Sequence, residues 1–97
     1  MKLVEVVKSS RQGKKWKAVF LNPETGRTKT THFGASGMED YTQHHDKERR
    51  QRYRDRHEKD LKTDDPTRAG FLSYYILWGD STSFERNLSA FKRRFSL

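Results

Sequence analysis

The sequence contains no cysteine, and its most apolar run, residues 71–78, is short. A chain without cysteine forms neither disulfide bonds nor thiolate metal sites, and nothing in it indicates secretion. The apolar run falls well below the roughly 20 residues that cross a bilayer. The first residues also lack the apolar stretch of a signal peptide. We therefore expect neither a transmembrane segment nor a signal peptide.

Hydrophobic residues are also scarce, at 31% of the 97 residues, whereas 35% are charged. This composition lies near the polar edge of globular proteins, and so short a chain buries only a modest fraction of its surface. Aromatic residues, at 12%, offset the shortage because each buries a large area. We expect one small basic domain, residues 1–97, with a thin core.

The net charge of +8 is concentrated at the two ends of the sequence. Residues 1–33 hold eight Lys or Arg against two Glu, and residues 84–97 hold four against one Glu. Residues 34–83 are almost neutral, with nine basic and ten acidic side chains. The distribution of charge is therefore more informative than its total.

Alternation of side chains predicts a small antiparallel sheet of about three strands within residues 1–33. The predicted strands are residues 2–8, 15–21 and 27–33. In the second of these, Trp16, Ala18 and Phe20 fall on one face. A turn containing Pro and Gly separates it from the Thr-rich third strand.

About three helices are predicted to pack on this sheet, which gives an α+β fold. The predicted helices are residues 42–60, 66–78 and 83–95. Asp40 or Thr42 could cap the first, and Thr82 with Glu85 matches a capping box for the third. The third helix would carry one apolar face, formed by Phe84, Leu88, Phe91 and Phe95.

The first predicted helix holds the most charged stretch of the sequence, HHDKERRQRYRDRHEKD, from His44 to Asp60. Four side chains recur at helical spacing: His45, Arg49, Tyr53 and His57. Three ion pairs are predicted at the same spacing: Asp46–Arg50, Glu48–Arg52 and Arg54–Glu58. This pattern favours a structural helix that packs its His and Tyr side chains on the sheet and turns its charges to solvent.

Other interpretations of this stretch are weaker. A metal site would need His44, His45, Asp46 and His57 to converge, and no zinc-type spacing is present. A helix that reads a DNA groove needs a positive face, whereas five acids interrupt this one. No nucleophile elbow, phosphate loop or cofactor motif frames a candidate base. We therefore expect no catalytic residues, no metal and no cofactor.

Two basic clusters are candidates for binding nucleic acid or another anionic surface. The candidate residues are Lys14, Lys15, Lys17, Arg27, Lys29, Lys92, Arg93 and Arg94. Lys15 and Lys17 share a face of one strand, and Arg27 and Lys29 share a face of the next. If these faces coincide, four cations gather on one side of the sheet, opposite Trp16, and attract phosphate without sequence specificity. The alternative is a solvated surface that only aids solubility.

The aromatic run FLSYYILW, residues 71–78, has two interpretations. The favoured one is that it forms the core of this small domain. In the other, Tyr74, Tyr75 and Trp78 are partly exposed and form a protein interface, where Tyr and Trp are enriched.

Three longer segments resemble a known family: HFGASGMEDYTQHHDKERRQRYRDRH, DDPTRAGFLSYYILWG and LSAFKRRF. Within them, HFG, DYT, RYRDRH and AGF are the motifs that carry the resemblance. The sequence is similar to short basic domains of unknown function found in nucleocytoplasmic large DNA viruses (giant viruses) and in some algae. The resemblance supplies no catalytic or ligand residues. It implies a setting in a virion or in the viral factory of the host cytoplasm.

These observations lead us to expect a non-enzymatic virion structural protein. It would be a small minor capsid component that docks on other virion proteins through aromatic surface and basic ends. The alternative is a non-specific DNA- or RNA-binding protein that packages or organises the viral genome. Neither hypothesis requires a small-molecule substrate.

Overall fold

The computed structural model describes all residues from 1 to 97 and confirms the predicted α+β fold. Its N-terminal part is a three-stranded antiparallel sheet in the order β1-β2-β3. The strands are β1 (Lys2–Lys8), β2 (Lys14–Leu21) and β3 (Thr28–Ala35). The predicted strands are therefore confirmed to within two residues at each end.

Four α-helices follow the sheet, together with two irregular helical segments. The α-helices are α1 (Tyr41–His44), α2 (Lys47–His57), α3 (Ala69–Leu72) and α4 (Phe84–Arg94). A 3₁₀ helix, Glu58–Thr63, continues α2, and a π-helix, Ser73–Leu77, continues α3. No helix in the structure has the length and apolar character needed to cross a membrane.

The core lies between one face of the sheet and the C-terminal helices. Fully buried side chains from both layers meet there, namely Phe20, Phe33, Leu72, Ile76, Leu77 and Phe91. On the edge of this layer, Trp16 stacks on Phe84 with ring centroids 4.5 Å apart. The opposite face of the sheet, which carries Lys17, Val19 and Thr30, has no buried residue. The sheet is therefore covered on one side only.

The charged segment does not form the single helix predicted for residues 42–60. Asp40, one of the two predicted caps, caps α1, but His45 adopts a left-handed conformation (φ 57°) that ends the helix after one turn. The side chain of Asp46 then accepts hydrogen bonds from the backbone of Glu48 and Arg49 and starts α2. The predicted stripe is broken because His45 lies outside both helices.

The predicted ion pairs within this segment are also wrong. None of the three pairs at helical spacing lies within ion-pair distance. Asp46 acts as a helix cap, and its hydrogen bonds with the backbone of Arg49 and Glu48 lower its pKa. Arg54 instead binds Asp80, far away in sequence, at 3.3 Å.

Tyr53 and His57 do pack inward, but against another aromatic side chain instead of the strands. Tyr53 stacks almost parallel on Trp78, with a centroid distance of 4.2 Å. His57 stacks on Tyr53 at the same centroid distance. The rings of His44 and Trp78 have centroids 5.2 Å apart. These four aromatic rings therefore pack in a row that joins α1 and α2 to the aromatic run, residues 71–78.

The other two helices begin later than predicted. The predicted start at Pro66 is wrong because Asp65 accepts hydrogen bonds from Thr67 in a turn, and α3 starts only at Ala69. The predicted capping box is also wrong, since Ser83, not Thr82, caps α4 by accepting from the backbone of Arg86. The predicted apolar face of α4 is confirmed: Phe91 is buried, and Phe84, Leu88 and Phe95 pack around the core.

Candidate docking groove and basic surface

The first candidate site is a groove between α2, the π-helix and α4, which we call the Tyr–Arg groove. It has a volume of 380 Å³. Two arginines and two tyrosines define it: Arg54, Tyr74, Tyr75 and Arg94. The guanidinium of Arg54 lies 5.0 Å from the ring centre of Tyr74, and that of Arg94 lies 5.0 Å from the ring centre of Tyr75. Each cation therefore rests on its own aromatic ring.

Local backbone structure places both tyrosines in this groove. A π-helix holds more residues per turn than an α-helix and occurs frequently at functional sites. Here the π-helix exposes part of the adjacent residues Tyr74 and Tyr75, while Ile76 and Leu77 remain buried. Gly79 follows it, where a Cβ atom would collide with the carbonyl oxygen of Tyr75. The groove wall is therefore specified by the backbone as well as by side chains.

Of the three predicted interface aromatics, Trp78 is buried within the chain. Its side chain is covered by Tyr53 and His44, and the residue is only 8% exposed. The aromatic run is therefore mostly core, as the favoured interpretation had it. Tyr74 and Tyr75 are half-buried and keep part of their surface in the groove.

The predicted four-cation face of the sheet does not form, because strand register separates the side chains. Lys29 pairs with Phe20 and so lies on the core side, where its ammonium donates to Thr67 at 2.7 Å. Arg27 precedes β3 and lies in the turn. Lys15 donates to Asp40 at 2.7 Å and to Gln43 at 2.6 Å. Only Lys17 of the four stays on the open face.

A different basic surface forms around His32, and we call it the sheet patch: Arg11, Lys14 and Lys17. Lys17 lies directly opposite His32 in the sheet. Desolvation lowers the pKa of His32, and the charges of Arg11, Lys17 and Lys14 lower it further. None of these three cations forms an ion pair with a carboxylate. Arg11 was not among the sequence candidates, because a lone Arg in a loop carries no pattern.

The C-terminal cations separate into two roles. Lys92 and Arg93 are exposed on the last turn of α4, where positive charge complements the carbonyl end of the helix. Arg94 instead points to the Tyr–Arg groove. The structure thus brings Tyr74, Tyr75 and Arg94 together from the predicted set. It adds Arg54, whose position next to Tyr74 depends on how α2 packs and has no signal in the sequence.

The histidines of the charged segment are dispersed. No group of three or more His, Asp or Glu side chains converges as metal ligands would. Nδ1 of His57 donates to the carboxylate of Asp60 at 2.9 Å, whereas His44 accepts from the backbone of Asp46 and His45 is exposed. No metal centre is assembled from these residues.

Comparison with known proteins places the chain in a family. The model of DUF5754, a family of unknown function, matches residues 4–57, more than half of the chain. The chain belongs to the DUF5754 family. No curated protein and no solved structure gives a match. Within the DUF5754 match lie the sheet patch and Arg54, whereas Tyr74, Tyr75 and Arg94 lie beyond it.

Proposed function

We propose that this protein is a non-enzymatic structural component that docks on an acidic segment of another protein through the Tyr–Arg groove. The observation that carries the proposal is the pair of arginines, each resting on a tyrosine, on two sides of one groove. Tyr and Arg are the residue types that dominate binding energy at protein interfaces. Aromatic stacking also orders both guanidinium groups before a partner arrives, which lowers the entropy lost on binding.

The chemistry of the groove favours a carboxylate-bearing partner. Arginine presents several N–H donors in a planar fork that matches a carboxylate. Arg94 forms no ion pair within the chain. Nη1 of Arg54 donates to the carboxylate of Asp80, whose side chain is 91% exposed. An incoming acidic side chain can therefore bind Arg94 directly and compete with Asp80 for Arg54.

We further propose that the docking takes place in the particle of a large DNA virus, where the protein is a minor capsid component. The resemblance of the HFG, DYT and RYRDRH segments to giant-virus domains supports this setting. The thin core supports a role in an assembly, because only 16 of 97 residues are buried and a bound partner stabilises the folded state.

Incorporation into virus particles tests this proposal. A tagged copy is expressed in cells infected by the virus that encodes the protein, and purified particles are assayed by quantitative immunoblot. We expect the double variant Arg54→Ala and Arg94→Ala to be incorporated at least tenfold less than wild type. The control changes the exposed residues Arg52 and Arg86 to Ala, which removes the same charge from the same two helices and should have no effect.

Two outcomes would contradict the proposal. Absence of the wild-type protein from purified particles would exclude the virion role. Equal incorporation of the groove and control variants would exclude the groove as the docking site. Circular dichroism checks that the double variant folds, and Arg94→Glu alone, at an exposed position, serves as the second test variant.

A second candidate function is non-specific binding of DNA or RNA through the sheet patch. The observation that favours it is that Arg11, Lys14 and Lys17, whose charges all act on His32, form no ion pair with a carboxylate. Fluorescence anisotropy with a random DNA duplex tests this function. Charge reversal of the three patch residues to Glu should abolish binding. Reversal of Arg52, Lys59 and Lys62, which changes the net charge equally, should weaken it far less, and equal losses would exclude a specific patch.

A further inference from the structure

A second cavity lies at the end of the sheet, and neither proposed function uses it. This sheet-end cleft has a volume of 310 Å³, within the lower range of small-ligand sites. One wall comes from the ends of β2 and β3, and the other comes from the last turn of α2 with the 3₁₀ helix. Ser73 and Trp78 line it from the aromatic run, residues 71–78, and Tyr53 lines it from α2. The cleft therefore combines aromatic and charged side chains from separate parts of the chain.

Most acidic groups of the cleft already have partners within the chain. Asp40 accepts from the ammonium of Lys15 at 2.7 Å and from the backbone and hydroxyl of Thr42. Asp60 lies 2.9 Å from Nδ1 of His57. The remaining acid, Glu39, is exposed. The negative charge that faces the cavity is therefore largely compensated.

Three nitrogen-bearing groups of the cleft have no hydrogen-bond partner. They are Nζ of Lys14 on the sheet side, and the guanidinium of Arg56 and Nε2 of His57 on the α2 side. Asp60 orients the imidazole because its carboxylate accepts from Nδ1, which leaves Nε2 free. Tyr53 covers one face of the same ring at a centroid distance of 4.2 Å, so the ring is fixed by two contacts. Burial raises the pKa of Tyr53 to about 12, which keeps its hydroxyl protonated at neutral pH.

We propose that the sheet-end cleft binds the phosphate group of a phosphate monoester through Lys14, Arg56 and His57. Arginine and lysine are the two side chains that bind phosphate most often, the first as a planar fork and the second as a point charge. Lys14 and Arg56 line opposite walls of the cleft, and the protonated ring of His57 can donate a third hydrogen bond to the phosphate through Nε2. This site is independent of the Tyr–Arg groove and shares only Lys14 with the sheet patch.

A titration with inorganic phosphate, followed by ¹H–¹⁵N NMR, tests the proposal. We expect saturable shifts of Lys14, Arg56 and His57 signals. Arg56→Gln should weaken binding at least tenfold, whereas Arg52→Gln, one turn earlier on α2 and equally exposed, should leave it unchanged. The absence of saturable shifts in the folded wild type, or equal weakening by the two variants, would overturn the proposal. Arg56 and His57 would then serve only to neutralise the carbonyl end of α2.

The source of the phosphate is distinguished by two further ligands. If adenosine monophosphate binds as tightly as a 5′-phosphorylated oligonucleotide, the ligand is a free nucleotide. If the phosphorylated oligonucleotide binds more tightly than both the monophosphate and the same oligonucleotide with a 5′-hydroxyl, the ligand is the phosphorylated end of a nucleic acid. Arg11→Gln with Lys17→Gln, which removes sheet-patch charge only, should leave phosphate binding unchanged. The DNA affinity of this double variant therefore measures the contribution of the sheet patch separately from that of the cleft.

Discussion

The side chain of Asn87 in α4 binds the backbone at the end of the aromatic run, residues 71–78, and of the loop that follows it. It is 4% exposed, its amide nitrogen donates to the carbonyl oxygens of Ile76 and Ser81, and its carbonyl oxygen accepts from the backbone of Ser81. A buried polar side chain with three hydrogen bonds is satisfied only in this arrangement. Asn87 therefore holds the backbone that forms one wall of the Tyr–Arg groove.

Replacing Asn87 with Ala should lower the free energy of unfolding by about 2 to 4 kcal/mol. The reason is that the change leaves buried backbone groups without partners, at about 1–3 kcal/mol for each group. Urea denaturation measures the effect. Asn22→Ala is the matched control, since Asn22 makes a single side-chain hydrogen bond in an exposed turn, and it should cost less than about 1 kcal/mol. Equal losses in the two variants would contradict the role given to Asn87.

His44 is a second residue whose environment has a measurable consequence. Its Nδ1 accepts from the backbone of Asp46, and its Nε2 is buried without a partner near Trp78. Burial lowers its pKa, and the charge of Arg49 lowers it further. The folded protein therefore binds a proton on His44 less readily than the unfolded chain, in which His44 has its ordinary pKa of about 6.5.

The free energy of unfolding should consequently fall as the pH drops from 7 to 5. In this window the unfolded state binds more protons than the folded state, so stability increases with pH. Denaturation at several pH values should show a smaller slope for His44→Gln than for wild type. His45→Asn should keep the wild-type slope, because His45 is exposed and Asn tolerates its left-handed backbone. His32, whose pKa is also lowered, contributes to the slope that remains, as do Asp46 and Asp65, whose carboxyl pKa values are lowered too.

At the level of elements, one ion pair ties the sheet to α1. Asp40 is 3% exposed and caps α1, and the ammonium of Lys15 in β2 lies 2.7 Å from its carboxylate. Lys17, two residues further along the same strand, has no such partner and lies on the open face. Two lysines that look equivalent in the sequence therefore differ in structural role.

Lys15→Met should destabilise the protein by about 3 kcal/mol, because it leaves the buried carboxylate of Asp40 without its counter-ion. Lys17→Met removes the same charge and should change stability by less than about 0.5 kcal/mol. Thermal and urea unfolding of the two variants measure the difference. A double variant with Asp40→Asn should recover part of the loss, and the absence of any recovery would contradict the ion-pair explanation.

The boundaries between elements are also set by single residues. His45 ends α1, Asp46 starts α2, and the π-helix begins where α3 has made only one turn. The consequence is that α2 packs against Trp78 through Tyr53 and aligns Arg54 with Tyr74. A continuous helix from residue 42 would have placed the arginines at other angles, so the Tyr–Arg groove depends on this break.

For the whole molecule, the sheet patch sets the expected salt dependence of nucleic-acid binding. Each phosphate contact contributes about 0.9 to the slope of the logarithm of the binding constant against the logarithm of salt concentration. Three cations therefore predict a loss in DNA affinity of about 40-fold between 50 and 200 mM salt. Fluorescence anisotropy over this range measures it. A loss of about 10³-fold would require six or more contacts and would extend the binding surface beyond the patch.

The sequence by itself determined the class and order of the elements, because these follow from local patterns. The alternation of Trp16, Ala18 and Phe20, the turn residues around β2, and the apolar spacing along α4 each reflect one element's own periodicity. The same patterns predicted three strands, Asp40 or Thr42 as a cap, and a thin core in which aromatic side chains offset the scarcity of apolar residues.

The tertiary structure alone decided which charged and aromatic side chains remain available for binding. Lys15 and Lys29 are occupied by Asp40 and Thr67, and Trp78 is covered by Tyr53. Each of these contacts joins residues at least 25 positions apart in the sequence. Strand register and helix packing create such contacts, and no local periodicity encodes them. For the same physical reason, Arg54 and Arg56 became candidate binding residues only in the folded chain, where they share a site with the predicted residues Tyr74 and Lys14.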